Sequence, residues 1–415
     1  MTGVHSQSPF AALRYPQFVA FILAYCIFTI ALLIQEVALG YFIYKATHDP
    51  LALGFIGLAE ALPYISLALF GGHLADRWNK KLLMLSSLAV ILTGSLVLIW
   101  ATSPGSGLEQ RSLLTAVYGV IALIGFSKGF YNPALNSLNA FLIPREVFTN
   151  ATTWKSSFWQ AGAILGPGIA GFLYAYLGLT VTLWCVVGLL IGVMLLISTI
   201  ESPAIPAANE QEVNILHSLR EGVGYVFRTK VILYSTSLDL FSVLFGGVVA
   251  LLPVYAVDIL HVGTEGLGIL RAAPSLGAMT TMLALVYYPP MKNAWRNLLL
   301  AVGGFGIATL VFAVSTNMWL SVGALFFTGA FDSVSVIIRQ TIIYFFTPDE
   351  MRGRVSAVNG IFISSSSELG AFESGLAAKL MGTVPSVVFG GTMTMIIVAV
   401  AWLRSREFLS LKFDH

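Results

Sequence analysis

The sequence predicts an all-α membrane protein with twelve transmembrane helices arranged as two pseudo-symmetric six-helix bundles. Three observations carry that expectation. Of the 415 residues, 57% are hydrophobic and only 10% charged, against about 25% charged in an ordinary soluble domain, so there is too little charge to cover a water-exposed surface. The mean hydropathy of +0.84 is spread along the whole chain, which excludes a soluble domain on a single anchor. The apolar runs also fall into two sets of six around one polar stretch, Glu201 to Lys230.

Taking about 20 apolar residues per crossing, longer where a helix tilts, the spans in order are 16–44, 51–73, 82–102, 112–141, 150–177, 180–200, 231–257, 265–288, 297–315, 318–345, 355–381 and 386–404. Met1 to Tyr15 is mixed polar sequence, and the run after it is too long for the apolar region of a signal peptide, so it reads as the first span. Residues 1–200 then form an N-terminal bundle, 201–230 a cytoplasmic linker and 231–415 a C-terminal bundle. Within the linker, Ile215, Leu216, Leu219, Val223 and Val226 recur at helical spacing, as in an amphipathic helix lying on a membrane surface. Cys26 and Cys185 both fall inside apolar runs, where a disulfide framework is not expected.

Basic residues set the orientation. With the N-terminus in the cytoplasm, 16 of the 22 Lys and Arg, Lys155 among them, fall in cytoplasmic segments, while Lys45, Arg111 and Lys379 fall at outer ends. The bias places both termini in the cytoplasm and the chain in the cytoplasmic (inner) membrane. The halves also repeat: Ala151 to Gly178 and Val355 to Gly382 have equal length, with Gly166/Gly370, Gly171/Gly375 and Gly178/Gly382 in register. Leu53-Gly54 likewise opens the second span as Leu267-Gly268 opens the eighth. Parallel six-span repeats about a midplane site are a transporter architecture.

Between spans two and three runs Gly72-His-Leu-Ala-Asp76-Arg77-Trp-Asn-Lys80-Lys81. This resembles the G-x-L-A-D-R-x-G-R-K signature of the major facilitator superfamily, with Asn79 where the family usually has Gly. The resemblance implies the major facilitator fold and a cytoplasmic latch made by Gly72, Asp76, Arg77, Lys80 and Lys81, to which Arg352 and Arg354 of the second half are added as gate candidates. In span five, Gly162, Gly166, Pro167 and Gly171 resemble the G-x-x-x-G-P-x-x-G-G element of the family's antiporters; glycines four apart let helices approach closely and the proline leaves a bend. Ser237 to Gly277 and Phe331 to Gly382 resemble the enterobactin-exporter-like subgroup of siderophore and macrolide efflux proteins, with Ser367 in place of an expected Asn.

Nine ionisable residues sit inside spans: Glu36, Glu60, Lys128, Asp239, Arg271, Asp332, Arg339, Glu368 and Glu373. Each costs roughly 2.5 to 3.5 kcal/mol facing lipid at mid-helix, so they are expected to face one another or water. Their depths suggest pairing Asp239 with Arg339 and Arg271 with Glu373, as structural pairs or gates. Lys128 is placed to pair with Glu36 or Glu60, and Asp332 and Glu368 near the midplane have no assigned cation. Glu36, Glu60, Asp332 and Glu368 are therefore the proton-coupling candidates. Gln35, Tyr64, Tyr131, Asn132, Asn136, Trp154, Trp159 and Gln160 are candidates to line a cavity for an amphipathic solute.

The expected activity is export of a small organic solute, siderophore-like, macrolide or otherwise amphipathic, by alternating access in exchange for protons. An importer or a lipid flippase on the same scaffold stays open, since fold does not set direction. His and acidic ligands do not cluster within spans, which disfavours a metal exporter and any metal site, and no H-E-x-x-H, G-x-S-x-G or phosphate-loop motif suggests an enzyme. No cofactor is expected beyond the proton gradient as energy source. The expected partners are the substrate and the bilayer, with a monomer as the working unit. A net charge of +2 gives no case for nucleic acid.

Overall fold

A computed structural model describes residues 10–201, 215–348 and 351–409. Thirteen α-helices follow one another among these residues, with no strand. They are α1 (Pro16–Thr47), α2 (Pro50–Arg77), α3 (Lys80–Thr102), α4 (Gln110–Phe141), α5 (Phe148–Thr199), α6 (Ile215–Arg228), α7 (Lys230–Phe245), α8 (Val248–Val254), α9 (Gly263–Tyr287), α10 (Ala294–Val314), α11 (Met318–Phe345), α12 (Arg352–Met381) and α13 (Thr383–Arg404).

Ten helical stretches are long and apolar enough to cross a membrane. One of them, in α5, holds two spans: its 52 residues break at Gly178, whose φ of +75° is left-handed. Gly382, the in-register partner in the second repeat, has φ +92° and separates α12 from α13. Glycine reaches that region without a Cβ clash, so a repeated glycine makes a repeated turn. Helix α12 has 30 residues, about 45 Å at 1.5 Å per residue, and completes twelve crossings. Span seven runs through a different break, at Gly246-Gly247 between α7 and α8.

The chain clusters into two units. Unit 1 comprises Met1–Leu39 and Leu62–Glu210, and unit 2 comprises Gly40–Ala61 and Gln211–His415. The α1–α2 hairpin at 40–61 therefore packs with the second half of the sequence, although chain order assigns it to the N-terminal bundle. In unit 1, α3 packs on α4 and α5. In unit 2, α11 packs on α9 and α10, and α12 on α6 and α7.

The core of unit 2 gathers Ile232 of α7, Trp295 and Leu298 of α10, and Ile338 and Ile342 of α11 around Val226 of α6. Helix α6 is thus docked on protein along one face. Tyr225 donates its hydroxyl hydrogen bond to the Phe346 carbonyl at 2.7 Å, and a Cβ on Gly222 would meet the Arg354 carbonyl oxygen at 2.9 Å. The opposite face carries exposed Val223 and Phe227. The face with Gly222, Tyr225 and Val226 is thus packed on unit 2.

Candidate functional site

In unit 2, Asp239 of α7 and Arg339 of α11 form a buried ion pair. Burial of either charge alone would be costly, and the partner is what makes it tolerable. Asp332 lies seven residues before Arg339 on α11, about 10 Å along the axis and on the same helical face. It is half-buried at mid-span and, among the described residues, makes no hydrogen bond or ion pair.

Arg271 and Glu373, expected to pair, are placed differently. Pro253 has no N–H to offer the carbonyl four residues back, Val249, and Arg271 Nη1 donates to that oxygen at 3.1 Å. Glu373 hydrogen-bonds to its neighbour Ser374. The backbone gap left by a proline thus takes one of the guanidinium's hydrogen bonds.

Glu368 of α12 lies beside α2: a Cβ on Gly57 would come within 3.2 Å of its Oε2 and 2.9 Å of the Ala371 Cβ. Glu60, three residues on, lies on the same side of α2. The same hairpin is tied further along. Lys379 Nζ donates to Asp49 at 2.6 Å, the Tyr44 hydroxyl donates to Asp258, and the Gly54 and Gly375 backbones touch, a Cβ on Gly375 meeting the Gly54 Cα at 2.8 Å.

In unit 1 the span-five glycines lie against α1. A Cβ on Gly162 would be 3.0 Å from the Thr29 side chain, and one on Gly166 would be 2.9 Å from the Leu33 Cβ. About two turns before Gly162 on α5, Lys155 reaches between helices: its Nζ donates to Asn136 Oδ1 of α4 at 2.7 Å and lies 5.4 Å from the centre of the Tyr25 ring of α1. Lys128, Asn132 and Asn136 fall four residues apart on one face of α4. The first three turns of α5 present exposed Thr152, Thr153, Ser156 and Ser157, the composition of a wet surface. Lys155, counted above with the cytoplasmic cations, is the eighth residue of α5 and half-buried. The polar residues at i, i+4 and i+8 on α4 are a sequence signal that could have found this face.

The cavity candidates divide. Asn132 and Trp154 are half-buried and Asn136 and Trp159 exposed on unit 1, with Tyr64 half-buried on α2. Gln35, Tyr131 and Gln160 are interior instead. Gln35 Oε1 accepts from Ser95 Oγ of α3 at 2.7 Å, and Tyr131 is enclosed against Phe28, ring centres 4.3 Å apart. Those two side chains hold unit 1 together rather than lining an open face. Glu36 is exposed on α1 and Lys128 half-buried on α4.

Of the gate candidates, the surroundings of Gly72 and the side chains of Asp76 and Arg77 lie outside what the structure describes. The turn after them spans Trp78 and Asn79, and Asn79 caps α3 by accepting from the Leu82 N–H at 3.1 Å; the departure from Gly supplies a helix cap. Lys80 is buried with its Nζ 5.0 Å from the Phe141 ring centre. Lys81 Nζ donates to the Ser198 carbonyl at 2.6 Å near the end of α5, where a cation offsets the exposed carbonyls. Arg352 stacks on Tyr344 at 3.9 Å, and Arg354 pairs with Glu221 of α6.

Over residues 18–371 the sequence matches the Major Facilitator Superfamily. The chain belongs to that family. It is therefore a multi-pass membrane transporter and not an enzyme. Among its relatives, the multidrug efflux pump Tap of Mycolicibacterium fortuitum is 24% identical over 404 residues, covering 90% of this chain and 92% of that protein. Macrolide efflux protein A of Streptococcus pyogenes is 23% identical over 391 residues, 88% and 90% of the two chains. The enterobactin exporter EntS of Citrobacter koseri is 25% identical over 395 residues, 92% and 90%. A bacterial homologue of the human lysosomal transporter Spinster has the same fold, with a TM-score of 0.73 at 14% identity over 97% of this chain and 98% of that one. So does a POT family transporter, with a TM-score of 0.73 at 12% identity over 94% and 96%.

Proposed function

We propose that this major facilitator protein exports a small amphipathic organic solute from the cytoplasm by alternating access, in exchange for protons. It works from the inner membrane with both termini cytoplasmic, the side to which its basic residues assign the connecting loops. The observation that carries export is near-full-length similarity to proteins named as exporters of a range of drugs, of macrolides and of enterobactin. Those names cover different organic solutes, which supports a class of solute rather than one compound.

Proton exchange rests on Asp332. A carboxylate at mid-span with no counter-charge among the described residues is expensive in its ionised form, and binding a proton removes that cost. Exchange of the proton with water on alternate sides would then tie proton entry to solute exit. Glu368, beside Gly57 where α2 and α12 cross, and Glu60 on the same side of α2 are the second candidates, and Glu36 the third.

The test uses inside-out membrane vesicles with and without the protein, energised to an acid interior. Vesicles containing it should accumulate radiolabelled erythromycin, ethidium or carboxyfluorescein, and nigericin should abolish the uptake. Accumulation that ignores nigericin would overturn proton exchange. Accumulation of all three only in right-side-out vesicles, or of none, would overturn export.

A further inference from the structure

We propose that Lys155 is the anion-binding group of a substrate site on the α1–α4–α5 face of unit 1, and that the site takes an aromatic solute carrying a carboxylate or sulfonate. The proposal rests on the export reading and names its substrate class.

The Lys155 ammonium is held by neutral partners, the Asn136 amide at 2.7 Å and the Tyr25 ring at 5.4 Å. Among the described residues no carboxylate stands on it. A lone half-buried ammonium loses hydration without a counter-charge to replace it, so it is held at a cost that a bound anion would offset. The nearest acid along α1, Glu36, is eleven residues beyond Tyr25, about 16 Å along the helix axis, too far to neutralise it.

What surrounds the cation selects the rest of the ligand. Tyr25 is half-buried beside it, and Trp154, the preceding residue on α5, packs with Phe10 and Phe158, ring centres 5.8 and 6.2 Å apart. Such rings bury a flat apolar body, while Asn132 and Lys128 extend the polar track along α4 for about 12 Å beyond Asn136. An ammonium rather than a guanidinium supplies a point charge, which suits a single compact anionic head.

The second repeat provides an internal control. A shift of 204 residues brings Gly166 onto Gly370 and Gly178 onto Gly382, and it brings Lys155 onto Asn359. The fold is built at that position without a cation, so packing does not require the lysine charge.

The test measures binding to purified protein in detergent, followed by fluorescence anisotropy of two aromatic probes, anionic carboxyfluorescein and cationic ethidium. Lys155→Met should weaken carboxyfluorescein about tenfold or more, the loss of one charge-assisted contact, and leave ethidium unchanged or tighter. Lys155→Arg should restore most of the anionic binding, and naphthalene-2-carboxylate should compete. Equal weakening of both probes, or of neither, would overturn the proposal. So would competition by phosphatidylglycerol but not by the naphthoate, which would make this a lipid-headgroup site. Gel filtration and thermal unfolding check each variant, and Lys155→Gln carries the test if the methionine variant does not fold. Binding needs neither a gradient nor a direction, so a failed export assay leaves this result standing. Conversely, export of probes whose binding ignores Lys155 would overturn the site alone.

Discussion

Residues 151–178 and 355–382 carry one backbone plan and two chemistries. In both, a glycine lies against the first helix of its half, Gly166 on Leu33 and Gly370 on the Leu244 and Val243 carbonyls, and a left-handed glycine ends the span. At matched positions the charges differ. The first stretch has Lys155, Ile164 and Ile169 where the second has Asn359, Glu368 and Glu373. Close packing was kept because both repeats need it, while the groups exposed to a changing water supply diverged. Under the proposals above, unit 1 supplies cation and rings for the solute, and unit 2 supplies carboxylates for the proton.

The comparison can be broken at several levels. The largest effect is expected at the ion pair peculiar to unit 2. Asp239→Asn leaves Arg339 buried without its counter-charge and should cost about 3 to 5 kcal/mol; Asp239→Asn with Arg339→Met should recover much of this, read as the unfolding midpoint in denaturant. If the double variant is as unstable as the single one, the pair is not acting as a unit. Next come the shared glycines. Gly166→Leu and Gly370→Leu should each destabilise by about 1 to 3 kcal/mol through overpacking, whereas Gly168→Ala, which meets nothing within 4 Å, should be neutral. Unequal losses at the two matched positions would show that the repeats do not use their glycines alike. A smaller loss, about 0.5 to 1.5 kcal/mol, is expected for Tyr225→Phe, which removes the tie from α6 to Phe346. The smallest belongs to Glu221→Gln, whose partly exposed pair with Arg354 should be worth about 1 kcal/mol or less and weaken further in salt.

Much of the fold was legible because a bilayer leaves few choices. Length and apolarity gave the spans, and the glycine register anticipated the turns at Gly178 and Gly382. The ten stretches identified by apolarity understate the crossings for a physical reason: α12 carries Arg352, Arg354, Glu368, Glu373 and Lys379 on one helix, so it reads as a span by length rather than by hydropathy. What chain order hid was contact at a distance. Asp49 and Lys379 are 330 residues apart, and nothing local assigns the 40–61 hairpin to unit 2. For Arg271, depth in the span shows charges only, while one acceptor it reaches is a carbonyl orphaned by Pro253. Lys155 was hidden by a count that sorted cations by position along the chain, when the side chain's reach toward α4 and α1 decides where the charge sits.

The division of labour between the two units is tested most directly by Asp332→Asn in the vesicle assay. The variant should lose accumulation driven by an acid interior yet still exchange labelled for unlabelled solute across the membrane without a gradient, since a neutral side chain at that position mimics the protonated carboxyl and leaves the unit 1 site intact. Gradient-driven accumulation at the wild-type rate in Asp332→Asn would contradict the account.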